Sequence, residues 1–275
     1  YFRSPTPWEP ERERIANVIR QRRLELERIR AFTRTDDCLM RFLAAELDDP
    51  APAACGRCAN CAGDFVSRSV DDDLLADAVA FLRRSFRTIE PRKQWPPGGT
   101  GELTGRIPPE HQAAEGRALS IYGDAGWGSL VAEAKYREER FDQKLVDAAA
   151  QLIRDVWQPD PPPTWVTAIP SFRTSIVPDF AQRLAHALWL PYHESIVKVR
   201  EKPQQKDMEN SAQQALNVID AFEARPDEVG AGPVILVDDI VDSRWSMTVC
   251  AIRLRQAGSG PVYPLALAVA TPGQR

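Results

Sequence analysis

Two groups of residues in this sequence have types and spacings that could do chemistry. Four of the five cysteines lie at 38, 55, 58 and 61, in the pattern C-x16-C-x2-C-x2-C. Thiolates two residues apart can turn onto one ion. Cys55, Cys58 and Cys61, with the more distant Cys38, would complete a closed tetrahedral site of the structural Zn2+ type. Four reduced free thiols are the alternative; nothing points to secretion, so disulfides are not expected. The second group is "VILVDDIVDSRWS", Val234 to Ser246. Its apolar run suits a buried central strand whose ligand site lies at the carboxyl end. Asp238 and Asp239 close the run, and Asp242, Ser243, Arg244, Trp245 and Ser246 would open a helix. Free N–H groups there favour an anion such as a 5′-phosphate. The two carboxylates could hold ribose hydroxyls, directly or through Mg2+. A strand end with an aspartate capping the next helix is the plainer alternative.

A third, less specific group is "FLRRSFRTIEPRKQW". It gathers Arg83, Arg84, Arg87, Arg92 and Lys93, with Phe86 and Trp95 between them. Cations meet phosphates and aromatics stack on unpaired bases, so the stretch is a candidate DNA-binding surface. A solvated helix face would look the same.

The elements that must position these groups divide the chain of 275 residues into three segments. In residues 1–64, Ile15, Val18, Ile19, Leu26 and Ile29 mark one face of a long helix. A second helix carries Leu39, Phe42, Leu43 and Leu47 and stops before Pro50. The break at Thr33 to Asp36 makes an αα-hairpin, with Cys38 near the start of its second helix. Residues 65–140 read as a helix ("DDDLLADAVAFLRRSF"), a turn-rich candidate hairpin ("QWPPGGTGELTGRIPP") and short helices, an arrangement that would suit a winged-helix module. In residues 141–275, strand-like and helix-like runs alternate: "TWVTAIP", "VPDFAQRLAHALW", "SIVKV", "PVILVDDIV", "WSMTVCAIRLRQAG", "PVYPLALAVA". That alternation argues for a parallel sheet covered by helices on both faces. Cys250 should be a buried apolar filler in the helix after the loop.

Composition sets the outer bounds. Hydrophobic residues make up 43% and charged residues 27%, as in ordinary globular chains, and no apolar run approaches a membrane span. Net charge is −4, so any nucleic-acid surface must be local. Arginine outnumbers lysine, through phosphate recognition or through codon bias. The chain opens Tyr1-Phe2-Arg3 with no initiator methionine, so it is expected to be part of a longer protein.

The arginine-rich first helix, the "CLMRFL" helix start and the "CGRCANC" knuckle resemble the zinc-binding region of RecQ-family DNA helicases. "VILVDDIVDSRWS", "AIPSFR", "VPDFAQRLAHAL" and "QQALNVIDAF" resemble type I phosphoribosyltransferases, especially the ComF-like group. The second resemblance implies that Asp238 and Asp239 face a ribose, and that Asp242 to Ser246 surround its 5′-phosphate. It also implies that Ser171 and Arg173 meet pyrophosphate, and that "REKPQQKDMENSAQQ" closes over the substrate. Two departures stand out. Arg244 replaces a glycine, which admits positive φ, and Trp245 replaces a small residue and would fill part of the pocket.

Together the resemblances imply the C-terminal accessory region of an ATP-dependent 3′-to-5′ RecQ-like helicase of bacteria, cytoplasmic and nucleoid-associated. The absent partners would be its N-terminal motor domains, since no G-x-x-x-x-G-K-[ST] loop is present. The fold expected is multidomain: a helical hairpin with a four-cysteine zinc module, a winged-helix-like middle domain that engages forked or branched duplex and single strands, and an α/β phosphoribosyltransferase-like domain with lost turnover and a regulatory or structural role. The alternatives are an active transferase of nucleotide metabolism tethered to DNA-binding modules, and a sensor of phosphoribosyl pyrophosphate or nucleotide. No catalytic residue is assigned.

Overall fold

The computed structural model describes residues 11–63, 69–96, 103–137, 140–172, 174–200 and 211–271. The chain forms two compact units, residues 1–71 and 72–275. Among the described residues no helix is long and apolar enough to cross a membrane.

In the first unit, α1 (Arg12–Phe32) and α2 (Leu39–Glu46) make the expected hairpin, followed by one turn of helix, α3 (Ala59–Ala62). Phe32 and Phe42 meet with ring centroids 5.6 Å apart, and the Arg28 guanidinium lies over Phe42 while pairing with Glu46. At about 1.5 Å per residue, α2 can cover only the C-terminal third of α1. The expected apolar stripe of α1 is exposed both beyond that reach, with Ile15 at 49%, and within it, with Ile29 at 62%.

The second unit is built on a five-stranded sheet of order β1-β2-β7-β6-β3. These are β1 (Arg87–Ile89), β2 (Gly116–Ile121), β3 (Trp165–Ala168), β6 (Val234–Val241) and β7 (Val262–Val269). β1 is an antiparallel edge, and the other four strands are parallel. Successive residues of β6 enter opposite cores: Ile235 and Val237 pack with Leu145, Phe180 and Leu184, while Val234 and Leu236 pack with Trp165, Phe222 and Leu254. A central strand covered on both faces has to read as a continuous apolar run.

On the first face lie α5 (Gly128–Arg137), α6 (Gln143–Gln151) and α7 (Ile176–Leu188), and on the second lies α9 (Trp245–Gln256), with α8 (Ser211–Ile219) beside it. Cys250 is fully buried in α9, as expected.

Two expectations are corrected. The stretch 65–140, expected as a winged-helix-like domain, is not a compact unit of its own. α4 (Asp72–Arg84) belongs to the second unit, and β1 and β2 complete its sheet, because β2 pairs in parallel with β7 from Arg117↔Leu265 to Ile121↔Val269. The boundary at 140 therefore separates nothing compact. "SIVKV" does not join the main sheet either. It forms β4 (Ile196–Lys198), which pairs antiparallel with β5 (Phe222–Ala224) in a sheet of two strands. The base of the candidate hairpin is present, where Gln94 and Arg106 form an antiparallel bridge; residues 97–102 lie outside the described residues.

Candidate functional site

The four clustered cysteines converge. Cys38 caps α2, and its sulfur accepts from the N–H groups of Cys55 (3.2 Å) and Arg41 (3.4 Å). Gly56 takes φ +70° between Cys55 and Cys58, a turn that a residue with a Cβ rarely makes. Asn60 fastens the knuckle to the hairpin by donating to the carbonyls of Thr35 and Asp37, both at 2.7 Å. All four sulfurs lie within 4.8 Å of one another, with Cys58 and Cys38 at 3.9 Å. Thiolates about 2.3 Å from a tetrahedral ion stand about 3.8 Å apart. The cluster could hold a metal ion. The amide of Cys55 pulls the Cys38 thiol down to about 6, while sharing a proton with Cys58 pushes Cys61 up to about 11.

The second site is the connection from β6 to α9. Asp238 and Asp239 lie within β6, which runs on to Val241. Asp239 N–H donates to Asp238 Oδ1 at 2.9 Å, and Ile240 N–H to Asp239 Oδ1 at 2.6 Å. Burial, then the neighbouring Asp239 carboxylate, raises the Asp238 carboxyl well above the usual range. Asp239 Oδ2 receives Lys135 Nζ from α5 at 3.0 Å. Arg244 adopts the left-handed conformation, φ 67° and ψ 0°, at the N-terminus of α9, where its carbonyl accepts from the N–H and the hydroxyl of Thr248, both at 2.9 Å.

Trp245 is among the residues that line the small hollow at the start of α9, and its ring packs into the core. It is fully buried, stacked on Trp95 with centroids 5.7 Å apart and an interplanar angle of 2°, while the Arg92 guanidinium lies 4.0 Å over its ring. Arg92 Nε donates to Ser243 O at 2.7 Å, and Arg244 Nη1 to Glu90 O at 3.0 Å. The loop is therefore lashed to residues 90–95. The hollow lined by Asp238, Asp242, Ser243, Arg244, Trp245 and Ser246 measures about 40 Å3.

The expected DNA-binding group divides. Arg92 and Trp95 are half-buried and support the loop. Arg83, Arg84, Arg87 and Lys93 are exposed, although Arg83 lies 4.6 Å over the Trp127 ring. Ser171 is exposed in the loop after β3; since β3 neighbours β6, that loop lies at the same end of the sheet as the aspartates. Arg173 and residues 201–210 of the expected closing loop lie outside the described residues. Sequence reading missed Lys135 and Glu90. Neither sits at a telling spacing, since Glu90 acts through its carbonyl and Lys135 reaches Asp239 only because the sheet places β7 between β2 and β6.

No family model matches the chain, and no curated protein sequence does. Among solved structures, it is similar to an adenine phosphoribosyltransferase (15% identity, 70% of this chain and 89% of that one, TM-score 0.36). It is also similar to the adenine phosphoribosyltransferase of Leishmania donovani (13%, 75% and 86%, TM-score 0.34). A third is the allosteric regulatory enzyme of purine biosynthesis (24%, TM-score 0.30), where the match spans 44% of this chain and a quarter (25%) of that one.

Two outcomes follow from the loop. Arg244→Ala and Arg244→Gly both lose the bond to Glu90, but only glycine accepts positive φ without cost. The glycine variant should be the more stable by about 1 kcal/mol in urea unfolding; equal stability would remove the strain argument. Asp238 has a folded pKa raised above its unfolded value of about 3.9, so its contribution is fully present below that pH and is lost as pH rises towards the folded pKa. Asp238→Asn should therefore gain stability on the parent as pH rises above about 4. A constant difference above that pH would show the carboxyl to be solvated.

Proposed function

We propose that the second unit is a phosphoribosyl-type scaffold kept for a regulatory or structural role without turnover, in the accessory region of a RecQ-like DNA helicase. One observation carries the absence of turnover: the loop that would cradle a 5′-phosphate is folded onto Glu90, Arg92 and Trp95, leaving a hollow of about 40 Å3. A phosphate needs open backbone amides at the helix N-terminus, and the left-handed residue there is an arginine rather than a glycine. The acidic pair fits Mg2+ poorly, because Asp239 already accepts from Lys135 and Ile240 and Asp238 is driven towards its neutral form.

For the first unit we propose a structural Zn2+ on Cys38, Cys55, Cys58 and Cys61. The sulfur separations and the hairpin-to-knuckle bonds of Asn60 support this reading, and so does the spacing that resembles the RecQ zinc region. DNA would be held by phosphate contacts from exposed cations such as Arg84, Arg87 and Lys93. The parent helicase would supply the motor and place the chain with the bacterial nucleoid in the cytoplasm.

Calorimetric titration with phosphoribosyl pyrophosphate and Mg2+ tests the first proposal. No heat of binding is expected, and no pyrophosphate should be released with any nucleobase. Micromolar binding without release would favour a nucleotide sensor, and release would establish a transferase. Metal analysis after dialysis tests the second proposal. About one zinc per chain should remain bound, and Cys38→Ser should lose it together with the fold of the first unit. A metal-free chain as stable as its Cys38→Ser variant would refute the site.

A further inference from the structure

Lys135 is the one cation that reaches the acidic pair among the ion pairs of the described residues. It does so by construction. The loop after β2 is tied by Asp124, whose carboxylate accepts from the N–H groups of Ile121 (3.0 Å), Gly126 and Gly128 (both 2.9 Å). Gly128, the first residue of α5, lies so close to the strand that a Cβ would stand 1.9 Å from Ile121 O. These contacts fix where α5 leaves the sheet. Val131 and Ala134 then seat the helix in the core over β2 and β7, and Lys135 follows Ala134 towards β6. At its far end, Nζ lies 3.0 Å from Asp239 Oδ2, with side chains 36% and 17% exposed.

One oxygen of each carboxylate also accepts a backbone amide. Asp239 Oδ1 takes the amide of Ile240, and Asp238 Oδ1 takes the amide of Asp239. A divalent cation would need these oxygens in an open, anionic arrangement, and an ammonium already stands against the outermost one. We propose that Lys135 is the resident cation of this site, taking the position of a divalent metal and so deciding its specificity against metal-bound diphosphates. The inference rests on the reading of the acidic pair as the ligand-facing end of a phosphoribosyl-type site. It explains the closed site from the opposite pole to the loop: Arg244 and Trp245 shape the phosphate end, and Lys135 shapes the ribose end.

The test uses the intact zinc-loaded chain with Mn2+ as the probe, followed by electron paramagnetic resonance, and Asp239→Asn as the background. The parent and Lys135→Arg should bind Mn2+ no more tightly than that background. Lys135→Met and Lys135→Gln, both at a partly exposed position, should gain a site at least about tenfold tighter, and adding Asp239→Asn should abolish it. The proposal is overturned if the parent already binds Mn2+ through Asp239 as tightly as Lys135→Met, or if neither neutral variant gains a site. The metal titration needs no sugar phosphate, so its outcome is separate from that of the phosphoribosyl pyrophosphate titration. Binding of that compound by the parent would refute the non-catalytic reading, whichever way Mn2+ behaves.

Discussion

The burial of Trp245 is the constraint on which the second unit turns. An indole at the first position of α9 must be covered, and the cover comes from Arg92 and Trp95, far away in the chain. Stacking and cation–π contact are each worth of order 1 kcal/mol at such sites. Their larger effect is geometric. They draw residues 90–95 against the loop, so that Ser243 and Arg244 find their partners in Arg92 and in the Glu90 carbonyl. A segment rich in cations thereby becomes the inner wall of a neighbouring connection.

The same constraint accounts for the sheet. β1 ends at Ile89, immediately before the residues that brace the loop, and β1 is held at the edge by β2. The strands that look like a separate module in the sequence are thus the means by which the brace is delivered. The left-handed conformation at Arg244 costs about 1–2 kcal/mol. Three contacts offset it: the Glu90 carbonyl on the guanidinium, and the two bonds from Thr248 to the Arg244 carbonyl.

In the first unit the controlling feature is different. α1 buries no residue, so aromatic contact with α2 and the convergence of four sulfurs have to organise the hairpin and the knuckle. A metal held by these four sulfurs would tie the stability of a loop with this little apolar material to metal and to pH together.

The sequence by itself determined whatever depends on local spacing. It placed Cys38 at the start of α2, grouped the four thiols, and marked the apolar run of β6 and the helix that follows. It also singled out Arg244 as a residue standing where positive φ is wanted. Each of these is set by residues within a turn or two of one another, or by the intrinsic limits of the backbone. Only the tertiary structure decided that the Trp245 ring packs on Trp95 and Arg92, that those two residues serve the loop, and that β1 and β2 complete the sheet. It alone brought Lys135 to Asp239, and it alone set the burial that raises the Asp238 carboxyl. The physical reason is common to all of them: strand order is a pairing between remote segments, and a side chain's partner across a sheet has no periodicity in the chain that carries it.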